Sequence, residues 1–209
     1  MKVNEIFLSI QGESLSVGLP TVFVRFTRCN LRCSYCDTKY AYEEGEDMSV
    51  DDILNKIKEF GYKRVCLTGA EPLLQKDIQV LIDKLSDYEV SIETNGSIDL
   101  KDVVIGENHR FVMDIKLKSS GCYEKMNFNN FEYLNKNDEI KFVISNRTDY
   151  EMAKKVINKY YKMGNILMSP VFETIEYKSL VEWILEDKLN VRFQLQIHKI
   201  IWDKNKRGV

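Results

Sequence analysis

Hydrophobic positions along the chain recur in two rhythms. Asn4 to Ile10 reads as a strand, Gly12 to Pro20 as a turning segment, and Thr21 to Phe26 as a strand of β-branched and aromatic residues. Beyond this hairpin, short apolar runs alternate with helical periods. Ser49 is placed to cap a helix running to about Phe60, with Ile53, Leu54, Ile57 and Phe60 on one face. Arg64 to Thr68 reads as a buried strand, and Gln75 to Ser86 as a helix with Ile78, Leu81, Ile82 and Leu85 turned inward. Strands are predicted over Tyr88 to Glu93 and Phe111 to Ile115. A short helix near Asn129 to Leu134 precedes a strand over Glu139 to Ile144. A helix over Tyr150 to Tyr161, a strand over Ile166 to Met168, a helix over Ile175 to Glu186 and a strand over Val191 to Leu195 complete the pattern.

Strands alternating with helices imply a parallel sheet with right-handed crossovers. The units are too few for a full eightfold barrel. An α/β fold is therefore expected, a partial, open β/α barrel of about six parallel strands with an N-terminal hairpin. In such sheets ligands gather at the C-terminal ends of the strands. At 209 residues a single domain over residues 1–209 is expected. Hydrophobic residues make up 44% and charged residues 30%, which excludes a disordered tail and a membrane bundle. A net charge of -2 provides no global basic field for nucleic acid or an anionic membrane. No signal segment and no long apolar span is visible, so a soluble, cytoplasmic protein is expected.

Three of the five cysteines crowd into Cys29-Asn30-Leu31-Arg32-Cys33-Ser34-Tyr35-Cys36, a C-x3-C-x2-C spacing. That is no disulfide framework. Three thiolates on one loop suit three corners of a cubane iron–sulfur cluster, leaving one iron open, whereas electron-transfer clusters use four protein ligands. The alternative is a zinc knuckle, which needs a fourth ligand that the neighbouring sequence does not offer. Cys66, between Val65 and Leu67, reads as core, and Cys122 has no assigned role.

This spacing, with Tyr35 before the last cysteine, resembles the radical S-adenosylmethionine (SAM) superfamily. Thr68-Gly69-Ala70-Glu71-Pro72 resembles its Gly-Gly-Glu run, with Ala70 at the second glycine position. The resemblance implies a 4Fe-4S cluster on Cys29, Cys33 and Cys36, whose open iron chelates SAM and releases a 5′-deoxyadenosyl radical. It also implies SAM contacts at Tyr35, Cys36, Asp37, Ala70, Asp114, Ile115, Lys116, Ser169, Pro170, Val171 and Phe172. Ala70 is acceptable there only if its φ stays negative.

Over nearly the whole chain the sequence is similar to the 7-carboxy-7-deazaguanine synthase family. The segments are Glu5 to Glu13, Cys36-Asp37-Thr38, Gln194 to Trp202 and Arg207-Gly208-Val209. That family makes a deazapurine from 6-carboxy-5,6,7,8-tetrahydropterin by hydrogen abstraction at C6, ring contraction and loss of ammonia. The resemblance implies pterin contacts at Ile10, Gln11, Gly12, Glu13, Arg25, Thr68 and Val209, and Mg2+ on the Thr38 hydroxyl. Glu13 can accept two adjacent N–H donors, and Arg25 can grip a carboxylate at two points.

Plainer roles stay open at the same positions. Glu13 could be a solvated turn carboxylate, Arg25 a structural partner of Glu5 or Glu13, and Thr38 a turn cap after Asp37. Thr68 could be a locally satisfied strand-end hydroxyl, and His198 could simply pack beside Trp202. The implied partners are an electron donor such as flavodoxin or ferredoxin and a second copy of the chain. Two other functions compete. An activase of a glycyl radical enzyme should lack the edge-binder at Glu13 and the magnesium site at Thr38. A non-catalytic iron–sulfur carrier should lack the Glu71 turn and need a fourth cluster ligand.

Overall fold

The computed structural model describes all 209 residues. Strand β1 (Lys2–Ile10) turns back antiparallel onto β2 (Pro20–Phe26), and β3 (Glu46–Asp47) adds a short rung outside β1. From β2 onward every pairing is parallel. The strands are β4 (Arg64–Gly69), β5 (Glu89–Thr94), β6 (His109–Ile115), β7 (Glu139–Ile144), β8 (Asn165–Pro170) and β9 (Arg192–Phe193). The order β3-β1-β2-β4-β5-β6-β7-β8-β9 never closes on itself, so the barrel is open. The hairpin is not a separate appendage, because its second strand is the first of the parallel run.

Four helices cover the outer face: α1 (Val50–Glu59), α2 (Ile78–Lys84), α3 (Arg147–Tyr160) and α4 (Tyr177–Glu186). Ser49 and Asp52 form a reciprocal capping box that starts α1, and Ile53, Leu54 and Ile57 bury its apolar stripe. Helix α3 starts at Arg147 and not at Tyr150, because the Asn146 side chain accepts the Asp149 N–H and satisfies the first turn.

No α-helix crosses from β6 to β7. The expected helix at Asn129–Leu134 is a 3-10 segment over Phe128–Glu132, preceded by two shorter ones. Gly121 at φ 73° and the Asn127 side chain, which accepts the Asn129 N–H, break this stretch into turns. A last short helix, α5 (His198–Ile201), was not expected from the sequence.

One contiguous core of 34 buried residues lies between sheet and helices. The inner face of the sheet is different. Arg25, Thr68, Glu93, Asp114 and Lys141 line the same cavity from five successive strands. Pairing places Arg25 beside Thr68 and Asp114 beside Lys141. A polar row thus crosses the inside of the barrel, where strand alternation alone would put apolar residues.

Candidate active site

The cavity inside the barrel has a volume of about 790 Å³ and collects residues from almost every strand end. The cysteine loop forms one part of its wall. Arg28, at φ 67°, turns the chain out of β2, and Cys36 N–H donates to the Cys33 carbonyl at 3.2 Å to fold the loop on itself. Ser34 ties the loop to the next segment through its N–H to Ser120 O (3.0 Å) and its hydroxyl to Ser119 O (2.7 Å). Leu31, Cys122 and Met126 pack as a small apolar cluster behind it, against Cys29 and Cys33. Cys122 is therefore a buried backing residue, and Cys66 lies fully buried with Phe7 and Phe23.

Cys29, Cys33 and Cys36 are all free, half-buried and on the cavity wall. Two donors already point at the Cys29 sulfur, the Leu31 N–H at 3.3 Å and the Asn95 side-chain amide at 3.6 Å. Cluster-bound sulfurs are tuned by such hydrogen bonds. No three His, Cys, Asp or Glu side chains converge tightly enough for a single metal ion. Burial pushes the Cys33 thiol up to about 12.

The Thr68-Gly69-Ala70-Glu71 turn divides its work by residue. Gly69 carries the positive φ, 125°, and a Cβ on it would lie 2.4 Å from the Phe26 backbone. Ala70 keeps negative φ, which is why a methyl is tolerated, and its N–H donates to Phe26 O at 3.2 Å. Glu71 is fully buried and points away from the cavity. It accepts the Leu73 and Asn95 N–H groups and the Thr94 hydroxyl, welding the ends of β4 and β5.

On the inner sheet face, Glu93, the last residue of the strand predicted over Tyr88 to Glu93, is a hub. It accepts from the Thr68 hydroxyl (2.7 Å) and the Gln11 amide (3.3 Å). Arg25 does form the structural pair weighed above, Nε to Glu5 at 2.7 Å, yet its two Nη groups have no protein hydrogen bond and the residue lines the cavity. Glu13 is not a solvated turn carboxylate. It is drawn inward, with Gln196 on Oε1 (2.8 Å) and Lys141 on Oε2 (2.5 Å). Burial works to raise its pKa, but the Lys141 charge and the two donors outweigh it and hold the carboxyl below its ordinary value. Lys141 is the residue that sequence reading missed. Its signal was a lysine between Ile140 and Phe142 in a buried strand.

Gly12 is pressed against His198, since a Cβ there would fall 1.9 Å from its Nδ1. His198 thus seats the Gly12 backbone as well as lying near Trp202. Thr38 does not cap the following turn. Its hydroxyl donates to Asp37 at 2.9 Å, and Asp37 pairs with Lys199 at 2.6 Å. Ile10, Tyr35, Val171, Phe172 and Val209 also lie on the wall. Ile115, Ser169 and Pro170 do not. Their side chains face the other way or lie sealed in the strand, because alternation sends Asp114 and Lys116 to the cavity and Ile115 to the core. Lys116 pairs with Asp114 Oδ2 at 2.6 Å, while Asp114 Oδ1 is buried with no donor.

This arrangement defines the class first. Residues 23–114 match the family described as the Radical SAM superfamily. A crystal structure of QueE from Escherichia coli superposes with a TM-score of 0.78 and 25% identity, covering 93% of this chain and 92% of that one. A 7-carboxy-7-deazaguanine synthase from Clostridium acetobutylicum is 47% identical over 100% of this chain and 99% of its own. One from Chlorobaculum tepidum is 41% identical over 100% of this chain and 97% of its own. The chain belongs to the 7-carboxy-7-deazaguanine synthase family. The activase and carrier readings fall with that result.

Proposed function

We propose that this cavity takes 6-carboxy-5,6,7,8-tetrahydropterin and converts it to 7-carboxy-7-deazaguanine with loss of ammonia, a lyase step of queuosine biosynthesis. The observation that carries the substrate reading is the inward-drawn Glu13, an ionised acceptor inside a cavity that also contains the three-cysteine loop. An amino-pyrimidinone edge has two adjacent N–H donors; Glu13 Oε1 accepts one protein hydrogen bond, from Gln196, and Oε2, beside the Lys141 ammonium, accepts none, so both keep acceptor capacity. Gln11, fixed by Glu93, offers further edge contacts, and the free Nη fork of Arg25 suits the substrate carboxylate.

Cys29, Cys33 and Cys36 fit a 4Fe-4S cluster, with the donors on Cys29 as the supporting contact. When bound, the cluster and SAM supply a carbon-centred radical that takes a hydrogen atom from the substrate. The orphaned Asp114 Oδ1 fits a donor such as a ribose hydroxyl, and Tyr35, Asp37, Ala70, Lys116, Val171 and Phe172 complete the SAM wall. Thr38, with the Asp37 carboxylate at its hydroxyl, offers hard oxygens of the type Mg2+ prefers. The protein's own contribution is positioning, through the pairs that hold Arg25, Lys116, Lys141 and Lys199 in place. The whole of residues 1–209 acts as one domain, supported by one sheet and one main core. A homodimer, an external electron donor of flavodoxin or ferredoxin type, and a reducing cytoplasm that keeps five free thiols complete the reading.

The test is an anaerobic assay of the reconstituted protein with carboxytetrahydropterin, SAM, magnesium and a reductant. A new ultraviolet-absorbing deazaguanine is expected. Deoxyadenosine without any new heterocycle would reject the substrate.

A further inference from the structure

Lys141 sits on β7 between Ile140 and Phe142, which are buried in the core on the opposite face, and itself turns into the cavity, where a lysine costs desolvation unless something holds its charge. Its Nζ lies 2.5 Å from Glu13 Oε2, and both side chains are only 14% exposed. Three other cations on the inner wall already have carboxylate partners. Arg25 pairs with Glu5, Lys116 with Asp114, and Lys199 with Asp37. Asp114, the cross-strand neighbour of Lys141, is thereby already engaged, so Glu13 depends on Lys141 for its counter-charge. We propose that Lys141 is a positioning residue acting through Glu13: its ammonium keeps that side chain a carboxylate, and so sets the cavity's preference for a ligand edge with two N–H donors. This rests on the assignment of Glu13 to the pterin edge.

The chemistry turns on protonation. An ionised carboxylate only accepts, whereas a protonated one presents its own O–H to the ligand and clashes with one of two donors. Removing the ammonium takes away the largest influence opposing burial, leaving the Gln196 donor and His198, so the pKa of this buried acid rises. Ligand affinity should then fall as pH drops. The other titratable groups facing the pair are Glu93 from β5, Asp114 from β6, Asp37 from the cysteine loop, and His198 and Lys199 from α5. Their contributions are separated by repeating each profile in a Glu13→Gln background.

The experiment measures KM and kcat for carboxytetrahydropterin against pH in the reconstituted enzyme. For Lys141→Met, KM should rise roughly tenfold to a hundredfold, the loss of a charge-assisted contact, with kcat changing far less. The rise should steepen towards acid pH, and Lys141→Arg should restore the native profile. SAM affinity and cluster absorbance at native values show that the site is intact. In the Glu13→Gln background, Lys141→Met should add no further loss and no pH dependence.

A flat profile with KM within about twofold of native overturns the proposal. So does a full additional penalty in the Glu13→Gln background. If Lys141→Met does not fold, the neutral double variant decides: substrate affinity equal to Glu13→Gln supports it, and weaker affinity overturns it. A Glu13→Ala variant with unchanged KM would instead remove the assignment of Glu13 itself. A raised KM there, beside a native-like Lys141→Met, would remove only the role of Lys141.

Discussion

Two adjacent small residues in the turn after β4 do opposite jobs. Gly69 occupies φ 125° with the Phe26 backbone 2.4 Å from where a Cβ would stand, while Ala70 carries its methyl without strain. Gly69→Ala should cost about 2 kcal/mol or more, read from the denaturant midpoint, since backbone cannot move aside as a flexible side chain would. Ala70→Gly should leave stability within about 1 kcal/mol, the entropic penalty of added backbone freedom. The sequence made the motif visible but not this division, because an Ala in place of the second glycine looks like a departure until backbone angles are known. Lys141 was illegible for a related reason. A single cation in a strand looks like a surface position, and only the pairing of β7 with its neighbours turns it inward.

At the scale of elements, the segment joining β1 to β2 is what brings Gln11, Gly12 and Glu13 into the barrel. It is held by side chains remote from the chemistry. Glu139, fully buried, accepts the Leu15 N–H (3.0 Å) on one oxygen and Arg110 Nε (2.8 Å) on the other, and Arg110 also reaches the Ser16 hydroxyl. Gln194 brackets Ser14 with one bond to its N–H and one from its amide to the carbonyl. Glu139→Ala leaves Arg110 without its partner in a buried position, which should destabilise the fold by about 3 kcal/mol or more. It should also speed amide exchange specifically over residues 13–16, a readout that separates loss of the strut from general weakening.

The strands and helices around this segment were legible because their periods are strong. The strand expected over Arg64 to Thr68, observed as Arg64–Gly69, and the capped Ser49 helix follow from spacing. The crossover between β6 and β7 was not, since Asn and Gly there favour local turns over a helix and short apolar runs carry no period. Nor does any local pattern reveal that Glu139, read as a strand start, anchors a loop more than a hundred residues earlier.

For the molecule as a whole, the relevant question is how far the fold depends on its metal cluster. Small zinc domains are unfolded without metal because binding supplies their folding energy. This chain is built the other way. Its 34-residue core lies between the sheet and the helices, and the cysteine loop touches a separate cluster of three, Leu31, Cys122 and Met126. The loop is further held by protein contacts alone, Ser34 to Ser119 and Ser120, and Asn30 to Ser97 and Asn95. Removing iron by chelation under reducing conditions should therefore leave far-ultraviolet circular dichroism unchanged and thermal unfolding cooperative. The melting temperature should fall by a few degrees, about what a loss of 1–2 kcal/mol produces in a chain of this size. Proteolytic sensitivity should rise between Arg28 and Tyr42 and nowhere in the strands. SAM binding should disappear in the same sample, since the pairs around Asp114 and Lys116 persist but the open iron does not. A global loss of helix signal on chelation would mean that the cluster, and not the sheet, organises the barrel.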